Sequence, residues 1–411
     1  MSVFSRLLID ATTNITSSSA SDSTQKKQSK GRIKTVLLTV SMATASLSTA
    51  FALTPPEMDN TAYVLMDYDT GEILAQKNAD EPLPPASLTK MMTSHIIENK
   101  LQSGELKESD EVLMSEKAWC KGSSSESCMY VPVNTKASVI DMLRGIIIQS
   151  GNDASRAMAE HLAGSEEAFA QMMNSEAERL GMTNSHFMNA TGMPAIGHEA
   201  SARDLAILAR AIISEGGKYY PIYAEKEFEF NGIKQGNRNA LLMTDDTVDG
   251  LKTGHTNAAG YCLVASSKRD DMRLISVIMG TDSMQERADQ SRELLNWGFG
   301  HFATAVVAPA NQFVAKVPVY FGQEDEVTVA TGDALKVLIA KVEQDNIETV
   351  VDINDALEAP ITKGQEVGKM LAMVDGKSVA SVSVVATSDI AEAGFFKRTW
   401  QHISRWFGGL F

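Results

Sequence analysis

The stretch Pro84-Pro85-Ala86-Ser87-Leu88-Thr89-Lys90, continuing as Met91-Met92-Thr93-Ser94-His95-Ile96-Ile97, constrains this chain more than any other. Two prolines impose an extended approach, and Leu88, Met91, Met92 and Ile96 then recur with helical period. Ser87 is thereby placed at or just inside a helix N-terminus. Lys90, three residues on, lies on the same face one turn up. A hydroxyl beside an amine is a nucleophile with its own base. The helix start adds unpaired N–H groups and partial positive charge where an oxyanion would form.

Ser-x-x-Lys alone is a common accident, expected about once or twice in a chain of this length. A second match, Ser23-Thr24-Gln25-Lys26, sits in a polar tail, and an N-cap serine followed by an exposed lysine has the same spelling. The first match differs in its company. Ser150-Gly151-Asn152 and Lys252-Thr253-Gly254 follow it in order at domain-scale separations. Chance supplies a Lys-Thr-Gly only about 0.1 times in such a chain. Together the three motifs point to a serine acyl-transfer site.

The 411 residues carry 37 Lys and Arg against 52 Asp and Glu, a formal charge of −15. That length accommodates two domains, and that charge argues against a nucleic-acid partner. With 3 cysteines the chain is no disulfide-built scaffold. Cys120 and Cys128 flank the polar segment from Lys121 to Ser127; they either close a small loop in an oxidising compartment or remain two free thiols. Cys262, in the strand-like run Tyr261-Cys262-Leu263-Val264-Ala265, reads as a small buried hydrophobe.

The spacing predicts five segments. Residues 1–33 form a disordered extension. Residues 34–52 form a signal, in which Lys26, Lys27, Lys30, Arg32 and Lys34 precede or open the apolar run from Thr35 to Leu47, and Ala50-Phe51-Ala52 supplies a small-x-small cleavage site. Residues 53–303 form a catalytic domain. It opens with a hairpin around Asp69-Thr70-Gly71, followed by helices over Ser138–Ile148, Ser155–Ala163 and Glu166–Leu180 and one opened by Ser201-Ala202-Arg203-Asp204. Tyr261–Ala265 pairs with Leu274–Ile278, leaving Lys-Thr-Gly at a sheet edge able to take an extended peptide. Residues 304–388 read as a small all-β domain. In the last segment, 389–411, Phe396, Trp400, Ile403, Phe407 and Leu410 share one helical face, while Lys397, Arg398, His402 and Arg405 fall largely elsewhere. An aromatic face with a basic flank, too short to span, is suited to a membrane interface.

The chemistry assigns roles. Lys90 must be neutral to take the Ser87 proton, which burial and a neighbouring cation favour; Lys252 is the candidate cation. Ser150 bridges the two lysines and relays a proton to the leaving amine. Asn152 either bonds the substrate backbone or orients Lys90. The backbone N–H groups of Ser87 and His255 form the oxyanion hole. Lys252, Thr253, Gly254, His255 and Arg203 line the substrate, with Lys252, Thr253 and Arg203 holding a carboxylate, which favours a peptide's C-terminal residue. No metal-ligand spacing occurs and no cofactor is expected; His198 and His255 read as structural or substrate-contacting.

Ser-x-x-Lys with Lys-Thr-Gly and a Ser-x-Asn motif is a signature of penicillin-binding proteins and class A β-lactamases. Pro85-Ala86-Ser87-Leu88-Thr89-Lys90, Gln149-Ser150-Gly151-Asn152-Asp153-Ala154 and Asp249-Gly250-Leu251-Lys252-Thr253-Gly254-His255-Thr256 closely resemble the low-molecular-mass penicillin-binding proteins of the type 5/6 D-alanyl-D-alanine carboxypeptidases. The resemblance runs over nearly the whole chain after residue 34. It implies an α+β fold: a β-lactamase/transpeptidase-like domain with an antiparallel sheet flanked by helices and a helical subdomain, then an all-β domain and an amphipathic C-terminal helix. It further implies removal of the terminal D-alanine from peptidoglycan pentapeptide stems through a Ser87 acyl-enzyme, and covalent inhibition by β-lactams. The implied location is a Gram-negative periplasm, with the tail on the inner membrane. The segment between Cys120 and Cys128 falls where that family has a mobile loop over the site, with a departing composition.

Three rivals are weaker. A class A β-lactamase needs Glu-x-x-Leu-Asn between the second and third motifs, and the nearest match, Glu293-Leu294-Leu295-Asn296, follows the third. The family's endopeptidases usually lack the β-domain and tail. A silent cell-wall scaffold has no need of three intact motifs.

Overall fold

A computed structural model describes residues 53–411 apart from 122–125, 343–346, 355 and 409–411. The expected extension and signal, the second Ser-x-x-Lys match and Leu410 lie outside the described residues.

Strands β1 (Ala62–Asp67) and β2 (Ile73–Lys77) form the hairpin read from the sequence. Its turn is held by Asp67 Oδ1, which accepts from both the N–H and the hydroxyl of Thr70. One turn of 3-10 helix, Ala86–Thr89, runs directly into α1 (Lys90–Ser103), which ends at Gly104 with φ +78°. A ribbon of β3 (Glu111–Leu113) and β4 (Lys136–Ser138) leads into the helical lobe: α2 (Val139–Ile147), α3 (Asn152–Ala163), α4 (Glu166–Leu180) and α5 (Ala202–Glu215). The helix expected from Ser155 begins three residues earlier, because one left-handed residue, Ser150 at φ +58°, is enough to break the chain after α2.

A hairpin of β5 (Glu227–Phe230) and β6 (Ile233–Gly236) and the short α6 (Leu241–Thr244) precede the long strands β7 (Val248–Thr256), β8 (Gly260–Arg269) and β9 (Met272–Thr281) and then α7 (Met284–His301). Serine caps start four helices: Ser138, Ser165, Ser201 and Ser283 accept from the backbone N–H of Asp141, Ala168, Asp204 and Glu286.

Among the described residues the catalytic sheet is antiparallel with order β2-β1-β9-β8-β7. Alternate residues divide between its faces. Val64, Val264 and Val277 join a core with α1, α2 and α5, while Leu65, Leu263 and Ile278 pack under Leu294 and Leu295 of α7. That packing occupies the Glu293–Asn296 look-alike.

The chain then forms β10 (Phe302–Ala308), β11 (Phe313–Tyr320), β12 (Glu326–Thr331), β13 (Leu335–Ala340), β14 (Ile347–Ile353), β15 (Leu357–Glu358), β16 (Glu366–Val374) and β17 (Lys377–Ala386). Strands β10 and β13 pair with each other, and the rest form one sheet ordered β14-β16-β17-β12-β11-β15. This domain has its own core, including Val317, Val329, Val337 and Val384. Lys336 Nζ, 3.1 Å from both carboxylate oxygens of Asp69, ties it to the first hairpin. Helix α8 (Phe395–Gly408) follows, with Phe396 88% and Trp400 71% exposed. No described helix is long and apolar enough to cross a membrane. The whole is the α+β arrangement expected, with a helical lobe beside the sheet and an all-β domain after it.

Candidate active site

Ser87 sits in the single 3-10 turn before α1, and two glycines let the surrounding chain close on that turn. Gly192, in the loop before α5, is at φ +83°, and a Cβ there would lie 1.8 Å from the Ala86 carbonyl oxygen. Gly254 on β7 packs its backbone so near that a Cβ would stand 3.0 Å from the Pro85 oxygen. Ala86 itself adopts φ +48°. Ser87 is therefore presented by a tight turn wedged between a loop and a sheet edge.

Lys90 is fully buried at the start of α1. Its Nζ lies 3.1 Å from Ser87 Oγ and donates to Asn152 Oδ1 at 2.6 Å and to the Thr191 carbonyl at 2.5 Å. A neutral amine has two N–H groups and one lone pair. Asn152 and Thr191 take the two N–H groups, which directs the lone pair toward the Ser87 hydroxyl. Burial pushes the Lys90 pKa from 10.5 down to about 7, helped by the Arg156 and Arg238 guanidiniums and opposed by Glu126 and Asp153.

Lys252 is also buried, donating to Ser150 Oγ at 3.0 Å and to the Thr253 carbonyl at 3.0 Å. Burial first, then Lys90, Arg238 and Arg287, hold its pKa well below the ordinary lysine value. Lys90 and the expected neighbouring cation Lys252 do interact, since the Lys90 charge disfavours the charged form of Lys252, and Arg156 and Arg238 add their own positive charge beside Lys90.

Ser87, Ser150, Asn152, Thr253, Gly254 and His255 line one cleft of about 860 Å³. His255 is exposed and stacks on Tyr261 at 4.0 Å between ring centres. Arg203 is a correction. It stands at the start of α5, where its guanidinium pairs with Asp80 at 2.6 Å and bonds Gln76, and it does not line the cleft. The arginines that do line it are Arg238 and Arg287. Arg287 Nη1 donates to the Gly254 carbonyl; Arg238 makes no hydrogen bond or ion pair among the described residues. Neither had a sequence signal, since one follows β6 in a polar loop and the other reads as part of a packing helix.

The cysteine alternatives resolve as a bridge between Cys120 and Cys128. Within its span Glu126 receives both Nη groups of Arg156, at 3.0 and 3.1 Å, and the Asn152 Nδ2–H at 2.8 Å. The Asp153 carboxylate accepts the N–H groups of Met129, Tyr130 and Val131, holding the next residues down. His198 is structural in geometry: its Nδ1 accepts from the Met188 N–H, so Nε2–H donates to Thr89 Oγ1 at 2.7 Å. Burial lowers its pKa to about 4.

Residues 49–283 match the family model described as D-alanyl-D-alanine carboxypeptidase, and residues 302–392 match penicillin-binding protein 5, C-terminal domain. The D-alanyl-D-alanine carboxypeptidase DacC of Escherichia coli is 41% identical over 377 residues, covering 88% of this chain and 94% of its own length. The crystal structure of penicillin binding protein 5 from Haemophilus influenzae superposes with TM-score 0.73 at 40% identity, over 82% of this chain and 99% of that one. Penicillin-Binding Protein D2 from Listeria monocytogenes, in its cefotaxime-bound form, matches with TM-score 0.55 at 27% identity over 60% of this chain and 99% of its own.

Proposed function

The chain belongs to the D-alanyl-D-alanine carboxypeptidase family, and from that premise we propose how its own residues divide the work of releasing the terminal D-alanine from peptidoglycan pentapeptide stems. Ser87 is the nucleophile and Lys90 its base. The lone pair of neutral Lys90 takes the hydroxyl proton as Oγ adds to the penultimate D-Ala carbonyl. The N–H groups of Ser87 and His255 stabilise the oxyanion. Ser150, whose Oγ accepts from Lys252 Nζ at 3.0 Å, passes a proton to the leaving amine, D-alanine departs, and water completes hydrolysis of the ester.

The observation that supports C-terminal specificity is the presence of Arg238 and Arg287 in the cleft lining, with Lys252 buried next to Thr253, in a chain of net charge −15. Burial lowers the pKa of Lys252, Arg238 and Arg287 alike, and the Arg238 charge lowers it further at both Lys252 and Arg287. A substrate carboxylate beside Thr253 offsets that gathered positive charge, and an internal peptide bond brings no such group. A β-lactam carries a carboxylate next to its strained amide, so it enters the same way and acylates Ser87. The stem peptide extends along β7, with Asn152 and His255 beside it. The aromatic face of α8, exposed at Phe396 and Trp400, lies on the periplasmic side of the inner membrane. Ile403 and Phe407 continue that face in the sequence pattern.

The test is incubation of purified protein with diacetyl-Lys-D-Ala-D-Ala and, separately, with a fluorescent penicillin. Release of free D-alanine, with label on the wild type and none on Ser87→Ala, is expected. Labelling of Ser87→Ala would overturn the nucleophile assignment, and fast penicillin hydrolysis without D-alanine release would make the chain a β-lactamase.

A further inference from the structure

Asn152 faces two groups that make opposite demands. Its Oδ1 accepts from Lys90 Nζ at 2.6 Å, and its Nδ2 donates to Glu126 Oε2 at 2.8 Å. A carboxamide rotated by half a turn would set Nδ2–H against the Lys90 amine, where it would donate into the lone pair meant for Ser87. The same rotation would set Oδ1 against the Glu126 carboxylate, two acceptors face to face. Glu126 therefore selects the orientation that leaves the base free.

Glu126 is itself fixed. Its side chain is 14% exposed and that of Arg156, with which it pairs through both carboxylate oxygens, is 17% exposed. Arg156 Nε donates to the Ala118 carbonyl, and Cys120–Cys128 closes the chain on either side. The Asn152 N–H donates to the Ser127 carbonyl, so the segment is latched to α3 at adjacent residues.

We propose that Glu126, held by Arg156 and by the Cys120–Cys128 bridge, is a positioning residue that locks the Asn152 carboxamide with its oxygen toward Lys90. This rests on the assignment of Lys90 as base to Ser87. It gives the bridged segment a part in setting up the nucleophile as well as bordering the cleft.

The charged groups around Lys90 supply a readout that packing alone would not move. Arg156 and Asp153 face it from α3, Glu126 from the bridged segment, His198 from the loop before α5, Arg238 from the loop after β6, and Lys252 from β7. Removing Glu126 leaves Arg156 unopposed, so neutral Lys90 persists to lower pH. Removing Arg156 does the reverse.

The experiment measures the rate constant for acylation by a fluorescent penicillin against pH, for the full chain and three variants, with Ser87→Ala as the unlabelled reference. Glu126→Ala is expected to lower the plateau rate about tenfold and move the acid limb to lower pH. Glu126→Gln keeps an acceptor for Nδ2–H and is expected to recover most of the plateau. Arg156→Gln is expected to move the acid limb to higher pH. A Glu126→Ala protein with wild-type rate and pH dependence would overturn the proposal, as would a Glu126→Gln protein that labels no faster than Glu126→Ala. If instead Ser87→Ala labels, the underlying base-and-nucleophile assignment fails, which the substitutions of Glu126 and Arg156 do not affect.

Discussion

The Lys90 amine lies 3.1 Å from the Ser87 hydroxyl at the head of a buried helix, with its two remaining hydrogen-bonding directions taken by Asn152 and Thr191. That geometry suits the proposed roles of Lys90 as base and Ser87 as nucleophile before any substrate arrives.

The pH dependence of acylation follows from that match. The active form is neutral Lys90, whose pKa is lowered to about 7, so the rate rises through that pH and levels above it. Lys90→Arg puts a group there that does not deprotonate in proteins, and acylation should fall at least about 100-fold while the protein stays folded. Circular dichroism together with penicillin labelling checks both halves; an arginine variant that labels at normal speed would remove Lys90 from the mechanism.

Gly192 has no room for a side chain. Gly192→Ala sets a Cβ 1.8 Å from the Ala86 carbonyl oxygen at a φ of +83°. The Ser87 turn must then shift, at a stability cost on the order of 3 kcal/mol. Denaturant titration and D-alanine release should both drop, the second further than the first; unchanged release would mean the turn tolerates displacement.

Glu98 makes stability fall toward neutral and alkaline pH. It is wholly buried on α1, accepts from Tyr223 Oη at 2.8 Å, and has its pKa raised by burial from 4.5 to about 8. The folded chain thus keeps a proton between those values that the unfolded chain releases. Its contribution to stability is greatest below 4.5, declines as pH rises to 8, and loses nothing more beyond. Glu98→Gln lacks this linkage and should gain on wild type by about 4 kcal/mol between pH 5 and 8. Parallel stability curves for the two proteins would show that Glu98 ionises as an ordinary carboxyl.

Truncation before Ala393 should release the protein from vesicles of mixed anionic and zwitterionic lipid with D-alanine turnover preserved. Sedimentation with the vesicles reads the first point. Continued binding of the truncated chain would place the membrane contact elsewhere.

Much of this fold is legible in the sequence because local signals agree with the tertiary result. The Asp69-Thr70-Gly71 turn, the serines that open α2 and α5, and the apolar runs of strands β8 and β9 each announce themselves within a few residues. Strand β16 does not, because Gly368 and Lys369 interrupt its apolar run, and its stability comes from pairing with β14 and β17. Helix α1 shows the opposite difficulty. Lys90, Ser94, His95 and Glu98 are all buried on it, so polar residues that spell an exposed face lie inside the protein. Within the site, the motif residues come together, with Ser87, Ser150, Asn152, Thr253 and Gly254 on one cleft and Lys90 and Lys252 buried behind them, but the partners that tune them do not belong to motifs. Arg238, Arg287, Glu126 and Arg156 are single charged residues in ordinary surroundings, and only folding brings them near the lysines. Arg203 is the converse case, a helix-start arginine whose charge is taken up by Asp80.

Strand β7 ends its sheet, with β8 as its hydrogen-bonded neighbour. An open edge of that kind can template growth: another copy of the chain can add its own strand, and then another. Here the side chain at the middle of the edge is Lys252, turned inward and 3% exposed. Its amine already donates to Ser150 Oγ and the Thr253 carbonyl, and an inward-pointing basic group of this kind discourages an apolar foreign strand from pairing at the edge. If the substrate runs along β7 as proposed, the placement of one lysine lets that edge stay open to a peptide without becoming a seed for the chain's own aggregation.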